Sequence, residues 1–168
     1  MTIERSDKIH ESWRLATEKF DYFVLGVTGA LCAYISQKYV PEKFGFNPGT
    51  FELLALVILV VAAVYGFRRI EKTMQLTLLN HQRLRTKEER GSLISEGPGP
   101  LLNKATGDVF SPEKIQAMIQ QKTAEIPLIE KQIEELGSQA LFAYKARNYL
   151  ILIGFCTLVF AKLYSAYV

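Results

Sequence analysis

Three stretches of the chain are apolar and almost free of charge, and they predict three long helices. The charge-free runs are residues 23–36, 53–67 and 149–161. With their aromatic ends, the segments approach the roughly 20 apolar residues that cross a bilayer. Buried helices of a soluble bundle are the alternative, but such helices keep a polar stripe. The run from Phe51 to Phe67 lacks one apart from Glu52, so we expect membrane spans.

The second of these helices is predicted to continue into the polar sequence after Arg69. Between Phe51 and Arg90 there is no proline, with Thr50 as the expected N-cap and Gly91 as the expected stop. Apolar residues recur past the arginines at helical spacing: Ile70, Met74, Leu78 and Leu84. About 40 residues make a helix of roughly 60 Å, twice the thickness of the hydrocarbon layer. The second half is therefore expected to stand in water as a stem.

The third helix is predicted to begin at Pro112, with Ser111 as its N-cap. Apolar residues then alternate at spacings of four and three, which predicts a stripe for self-association. The stripe consists of Ile115, Ile119, Ile126, Ile129, Ile133 and Leu136. Pro127 is expected to kink or break the helix. Residues 127–147 would then pair antiparallel with 68–90, and 112–126 would lie beyond or across the tip of the second helix.

The resulting fold class is an all-α integral membrane protein. It has three transmembrane helices, at least two of which extend into a cytoplasmic helical stem. The N-terminal segment either continues upright into the first span, which we favour, or lies flat on the membrane as an amphipathic helix. The predicted parts are an amphipathic stem 1–20, two spans 21–67 with an external turn 40–49, a stem 68–147 with an irregular loop 91–110, and a third span 148–168.

Basic residues give the orientation of the predicted spans. Lysine and arginine favour the cytoplasmic side, which places the N-terminus and residues 68–147 in the cytoplasm and the C-terminus outside. The expected membrane-surface anchors are Arg68, Arg69, Lys72, Lys145 and Arg147. The net charge of +3 is too small to argue for nucleic acid as a partner.

Charged and polar residues within the spans are candidate functional residues, because such residues are costly in a membrane. Glu52 and Lys162 are expected to form a pair on the external side, unless Lys162 reaches to the surface alone. The candidate pore-lining residues are Thr28, Ser36, Gln37, Thr157 and Ser165. Small residues form two tracks where helices could meet closely, one at Gly26, Ala30 and Ala33 and one at Ala62 and Gly66.

Signals for catalysis are sparse, and the sequence predicts no catalytic residue, no cofactor and no metal site. Cys32 and Cys156 have no metal-ligand spacing and are interpreted as packing residues. His81 lies in the predicted second stem. In RSDKIH, four residues separate Arg5 from His10, a spacing that resembles the sparse signature of HEPN-type ribonucleases. That resemblance implies a membrane-anchored nuclease as a distant alternative.

The leading hypothesis is a homo-oligomeric membrane protein that forms a pore, a channel or a membrane-permeabilising effector. Apolar stripes on both stems exceed what one antiparallel partner covers, which favours assembly of several copies. The alternative is a non-conducting scaffold that recruits a soluble cytoplasmic protein through the stem and the 91–110 loop. In both cases membrane lipids are partners.

Overall fold

The computed structural model describes residues 2–40, 45–95, 101–102 and 109–167. Helix α1 covers Thr2–Lys38, α2 covers Pro48–Ser95 and α3 covers Pro112–Tyr167. Two short strands, β1 at Leu101–Leu102 and β2 at Val109–Phe110, lie between α2 and α3. Because the strands have only two residues each and the three helices make up nearly all of the described chain, the predicted all-α class is confirmed.

Helix α2 passes through Arg68 and Arg69 without interruption, which confirms the predicted continuity. Its start differs from the prediction. The Thr50 amide donates to Oδ1 of Asn47 at 2.8 Å, so Asn47 is the N-cap and Pro48 takes the first helical position. The expected stop at Gly91 is also wrong, because the helix continues to Ser95; a glycine only weakens a helix that has packing partners.

Helix α3 continues through Pro127, so of the kink or break expected there, the break is wrong. A proline costs one backbone hydrogen bond, and here the neighbouring Ile126 and Ile129 are buried and hold the helix in place. The separate 112–126 piece is wrong as well. Lys122 forms an ion pair with Glu89 of α2, so this part of α3 runs alongside α2.

The 91–110 segment contains more regular structure than the sequence predicts. Residues 91–95 belong to α2, and β1 pairs antiparallel with β2, with Leu101 opposite Phe110 and Leu102 opposite Val109. A strand pair of two residues each carries too little pattern to be predicted. The remainder of the segment and residues 41–44 of the external turn lie outside the described residues.

The chain divides into two compact units. Unit 1 comprises Met1–Glu71 and Gln139–Val168, and unit 2 comprises Lys72–Ser138. In unit 1 the buried apolar residues are small or medium in size, including Ala55, Leu59, Ala62 and Ala161. In unit 2 they are Ile115, Ile126 and Ile129 of α3.

Among the described residues, α2 and α3 are long and apolar enough to cross a membrane. Only 22% of the most apolar stretch of α2 and 11% of that of α3 is buried, whereas the core helix of a soluble protein would be mostly buried. Helix α1 is not one of these candidate membrane-spanning helices. Its apolar run is closed by Asp21 at one end and by Gln37 and Lys38 at the other.

Candidate functional site

Three helices of unit 1 meet at a buried cluster of charge. Asp21 of α1 accepts from Nε of Arg69 of α2 at its Oδ2 and from Nη1 of Arg147 of α3 at its Oδ1, both at 2.8 Å. Asn148 accepts from Nε and Nη2 of Arg147 at 3.1 Å. We call Asp21, Arg69 and Arg147 the charge triad; it links all three helices through one carboxylate.

The charge triad carries one negative and two positive groups, so it holds a net positive charge in a buried place. Asp21 is 5% exposed and Arg147 1%. Tyr144 contributes to compensating the excess, because its ring lies 4.0 Å from Cζ of Arg69 and 5.4 Å from Cζ of Arg147, within the range of cation–π attraction. Loss of Asp21 would leave two buried guanidiniums without their counter-charge.

Two glycines allow the helices of unit 1 to pack closely. A Cβ built on Gly66 would lie 3.2 Å from Leu25 of α1 and 3.4 Å from Cδ of Arg147. A Cβ on Gly154 would lie 2.9 Å from Cγ of Leu59. The glycine at 66 therefore helps to bring α1 and α3 against α2 beside the charge triad.

A second charged group lies at the other end of the apolar runs. Lys162 of α3 forms an ion pair with Glu52 of α2. Aromatic residues close to this pair in sequence pack on one another: Phe51 packs edge-on against Phe160, with centroids 5.3 Å apart, and Phe160 stacks on Tyr164. Aromatic side chains at this position are typical of a membrane interface.

Unit 2 is tied together by exposed and half-buried ion pairs between α2 and α3. Lys122 Nζ lies 2.7 Å from Oε2 of Glu89, and Lys87 Nζ lies 2.8 Å from Oε1 of Glu130. Hydrogen bonds from Lys122 and Arg85 lower the pKa of Glu89, and the hydrogen bond from Lys87 lowers the pKa of Glu130. These pairs set an antiparallel register within unit 2.

The expected membrane-surface anchors fall into two groups. Arg68 and Lys145 are exposed, and Lys72 is half-buried. Arg69 and Arg147 instead turn inward and form ion pairs with Asp21. The sequence places Asp21 at the boundary of an apolar run, but nothing in one sequence shows which of five nearby bases it pairs with.

The candidate pore-lining residues do not share one surface. Thr28 is buried within unit 1 and its hydroxyl donates to the Val24 carbonyl at 2.8 Å. Thr157 is half-buried and donates to the Ile153 carbonyl at 2.8 Å. Ser36 and Gln37 are exposed near the end of α1, and Ser165 is exposed near the end of α3.

The stripe predicted for self-association packs inside one chain. Ile115, Ile126 and Ile129 are buried, and Ile119, Ile133 and Leu136 are half-buried. In this conformation the three buried isoleucines are not available to a second copy. The small track of α2 is also internal, since Ala62 and Gly66 are buried, whereas Gly26, Ala30 and Ala33 of α1 are exposed.

Catalytic and metal chemistry gain no support within the described part of the chain. No three His, Cys, Asp or Glu side chains there come together as a metal site. Arg5 and His10 lie on α1, but their side chains are outside the described set, and His81 is exposed on α2. Comparison with protein-family models, with curated proteins and with solved structures finds no match to this chain.

Proposed function

We propose that the chain is an integral membrane protein with three spans, whose copies assemble around α1 and form a pore. The apolar sides of unit 1 support insertion. Large side chains there are more than half exposed, including Phe23, Phe67, Phe142 and Leu152. Soluble monomers rarely expose contiguous patches beyond a few hundred Å², and lipid is the solvent that suits such a surface.

The observation that carries the assembly around α1 is a difference between the outer faces of the helices. The seam of α1 that faces α2 and α3 contains Asp21, Thr28 and Ile35, each buried and seven residues apart. Its exposed side carries a run of small or polar residues, Gly26, Gly29, Ala30, Ala33, Ser36 and Gln37, beside the larger Tyr22, Phe23, Val27 and Tyr34. Exposed residues of α2 and α3 at the same depth are mostly large and apolar. A small and polar face favours another helix, or water, over lipid.

In this proposal Ser36 and Gln37 lie at the external mouth of the pore, and Thr28 and Thr157 take no part in conduction. Orientation follows the bases, with Arg68 and Lys145 on the cytoplasmic side. Unit 2 then lies in the cytoplasm with the N-terminus. Conduction is proposed for the assembly and not for the single chain.

Mass measurement of the protein in nanodiscs tests the assembly. We expect one closed oligomer of several copies, and Gly26→Leu should reduce its size because the outer face of α1 no longer admits a close neighbour. Gly137→Ala is the matched control, since Gly137 also has open space around it but lies in unit 2. A monomer for the native chain would overturn the pore. If the native chain assembles, its currents are compared with those of Gln37→Leu in planar bilayers. Unchanged currents would show that Gln37 does not line the pore.

A second candidate function is a scaffold for a soluble partner. Met74 and Leu78 of α2 are 57% and 70% exposed in unit 2, which is unusual for apolar residues of a segment proposed to stand in water. The two side chains are four residues apart and share one helix face. Replacement of both by glutamate should abolish capture of a soluble protein and leave membrane insertion intact if this function holds.

A further inference from the structure

Unit 1 carries charge at two depths with an apolar layer between them. The charge triad of Asp21, Arg69 and Arg147 closes one end, and the Glu52–Lys162 pair closes the other. Between these depths the exposed positions of α2 and α3 are mostly apolar, for example Val60 and Leu152. The spacing of the two charged levels therefore measures the thickness of the apolar layer.

The spacing is short on every helix of unit 1. Arg69 follows Glu52 by 17 residues on α2, Lys162 follows Arg147 by 15 on α3, and Lys38 follows Asp21 by 17 on α1. At 1.5 Å for each residue, these separations correspond to about 22 to 26 Å. A typical bilayer has a hydrocarbon core of about 30 Å.

Long basic side chains often reach outward and so lengthen the apparent span, but here ion pairs hold Lys162, Arg69 and Arg147 at the two charged levels. The ammonium of Lys162 is held at the level of Glu52, whose shorter side chain is itself attached to α2. At the opposite end both guanidiniums are held on the short side chain of Asp21. Tilting of the helices would reduce the vertical thickness further, so the helical rise gives an upper value.

From this spacing we infer that the protein fits a thin bilayer, with a hydrocarbon thickness of about 22 to 26 Å, and that its lipid partners carry short acyl chains. The inference rests on the membrane insertion proposed above. In a thicker bilayer the two charged levels would lie inside the hydrocarbon unless the lipid thins around the protein, and such mismatch lowers stability.

Reconstitution into phosphatidylcholine vesicles with myristoleoyl, oleoyl or erucoyl chains tests the inference. The thermal midpoint, followed by circular dichroism, should be highest in the myristoleoyl lipid and fall as the chains lengthen. A maximum in oleoyl or erucoyl lipid would overturn the thin-bilayer inference while leaving membrane insertion intact. Failure to insert into all three lipids would overturn the proposed membrane function, and this inference with it.

Two double variants test whether the Glu52–Lys162 ion pair sets the acyl-chain length at which the protein is most stable. E52L/K162L lengthens the apolar layer, so its optimum should move toward longer acyl chains. The matched control E52K/K162E keeps both charges at the same depth, and its optimum should stay with that of the native chain. An unmoved optimum in a folded E52L/K162L protein would contradict the role of the pair, and the series on the native chain stands even if that variant does not fold.

Discussion

Asp21 and Arg147 lie 126 residues apart in the chain, yet Nη1 of Arg147 donates to Oδ1 of Asp21 across 2.8 Å inside unit 1. The other carboxylate oxygen accepts from Arg69. One acid therefore serves two bases on two other helices, and removal of the acid differs from removal of either base.

Asp21→Ala should destabilise the protein more than Arg147→Met. The first change leaves two buried guanidiniums without a counter-charge, which costs about 3–5 kcal/mol by analogy with broken buried pairs. The second change leaves Asp21 balanced by Arg69, so the loss should stay near 2 kcal/mol, the scale of a lost charged hydrogen bond. Denaturation in detergent micelles would measure both. Equal losses, or the reverse order, would contradict the shared carboxylate.

The close approach at Gly154 predicts a packing defect. Gly154→Ala places a Cβ 2.9 Å from Cγ of Leu59 and 3.3 Å from Cγ2 of Ile58, and overpacking of this kind costs about 1–3 kcal/mol. Gly137→Ala is the control, because a Cβ there meets nothing within 4 Å and alanine favours helix. Thermal midpoints should fall for the first variant and hold or rise for the second. A stable Gly154→Ala protein would show that Leu59 can move aside.

Truncation of two neighbouring residues of α3 in unit 2 should have very different effects on stability. Ile129 is 7% exposed and Leu128 is 64% exposed. Ile129→Ala should cost about 2–5 kcal/mol, whereas Leu128→Ala should stay within about 0.5 kcal/mol. Urea titration compares the two. Similar losses would mean that Leu128 is covered in solution, for example by another copy.

Unit 2 should weaken in acid. Hydrogen bonds from Lys122 and Arg85 hold the pKa of Glu89 below its ordinary value. The Glu89 carboxylate therefore stabilises the fold fully at a pH above the pKa of glutamate in the unfolded chain, which is about 4.3. That contribution is lost as the pH falls through the lower pKa of the folded state. The protection factors of the amide hydrogens in the helical turn Lys87–Arg90 should therefore fall in acid.

Two lysine variants distinguish the effect of protonating Glu89 from the effect of removing any positive charge in unit 2. Lys122→Met removes the principal hydrogen-bond donor to Glu89, so exchange in this helical turn should become faster near neutral pH, and its protection factors should depend less on acid. Lys131→Met is the comparison, because Lys131 is exposed. An unchanged acid response in Lys122→Met would assign the effect to other carboxylates, Glu130 among them.

Much of the helical layout follows from the sequence, because long apolar runs and helical periodicity report local structure directly. The passage of α2 through Arg68 and Arg69 is one example. Caps were less predictable: Thr50 and Asn47 are both good capping residues, and only the fold decides between them. The helix does not break at Pro127, because tertiary packing of Ile126 and Ile129 outweighs one lost hydrogen bond.

The candidate site was less accessible to sequence reasoning. The pairing of Glu52 with Lys162 was predictable because few charges lie near that end of the apolar runs. The sequence predicts Arg69 and Arg147 as membrane-surface anchors but not their pairing with Asp21, since it shows that a base lies at a boundary but not which way it turns. Their common partner depends on the packing of α1 beside Gly66, which is a property of three segments at once.

The net charge at the charge triad changes stepwise as the polypeptide is synthesised, because its three members lie on successive helices. Helix α1 is made first and brings a lone carboxylate, Asp21; α2 then supplies Arg69 and balances it; α3 adds Arg147 last. Because domains assemble from the N-terminus during synthesis, the α1–α2 hairpin is neutral at this point before the third helix exists. In the membrane proposed for this protein, a chain that stops before α2 would carry the Asp21 carboxylate without the partners that α2 and α3 supply, which is costly there.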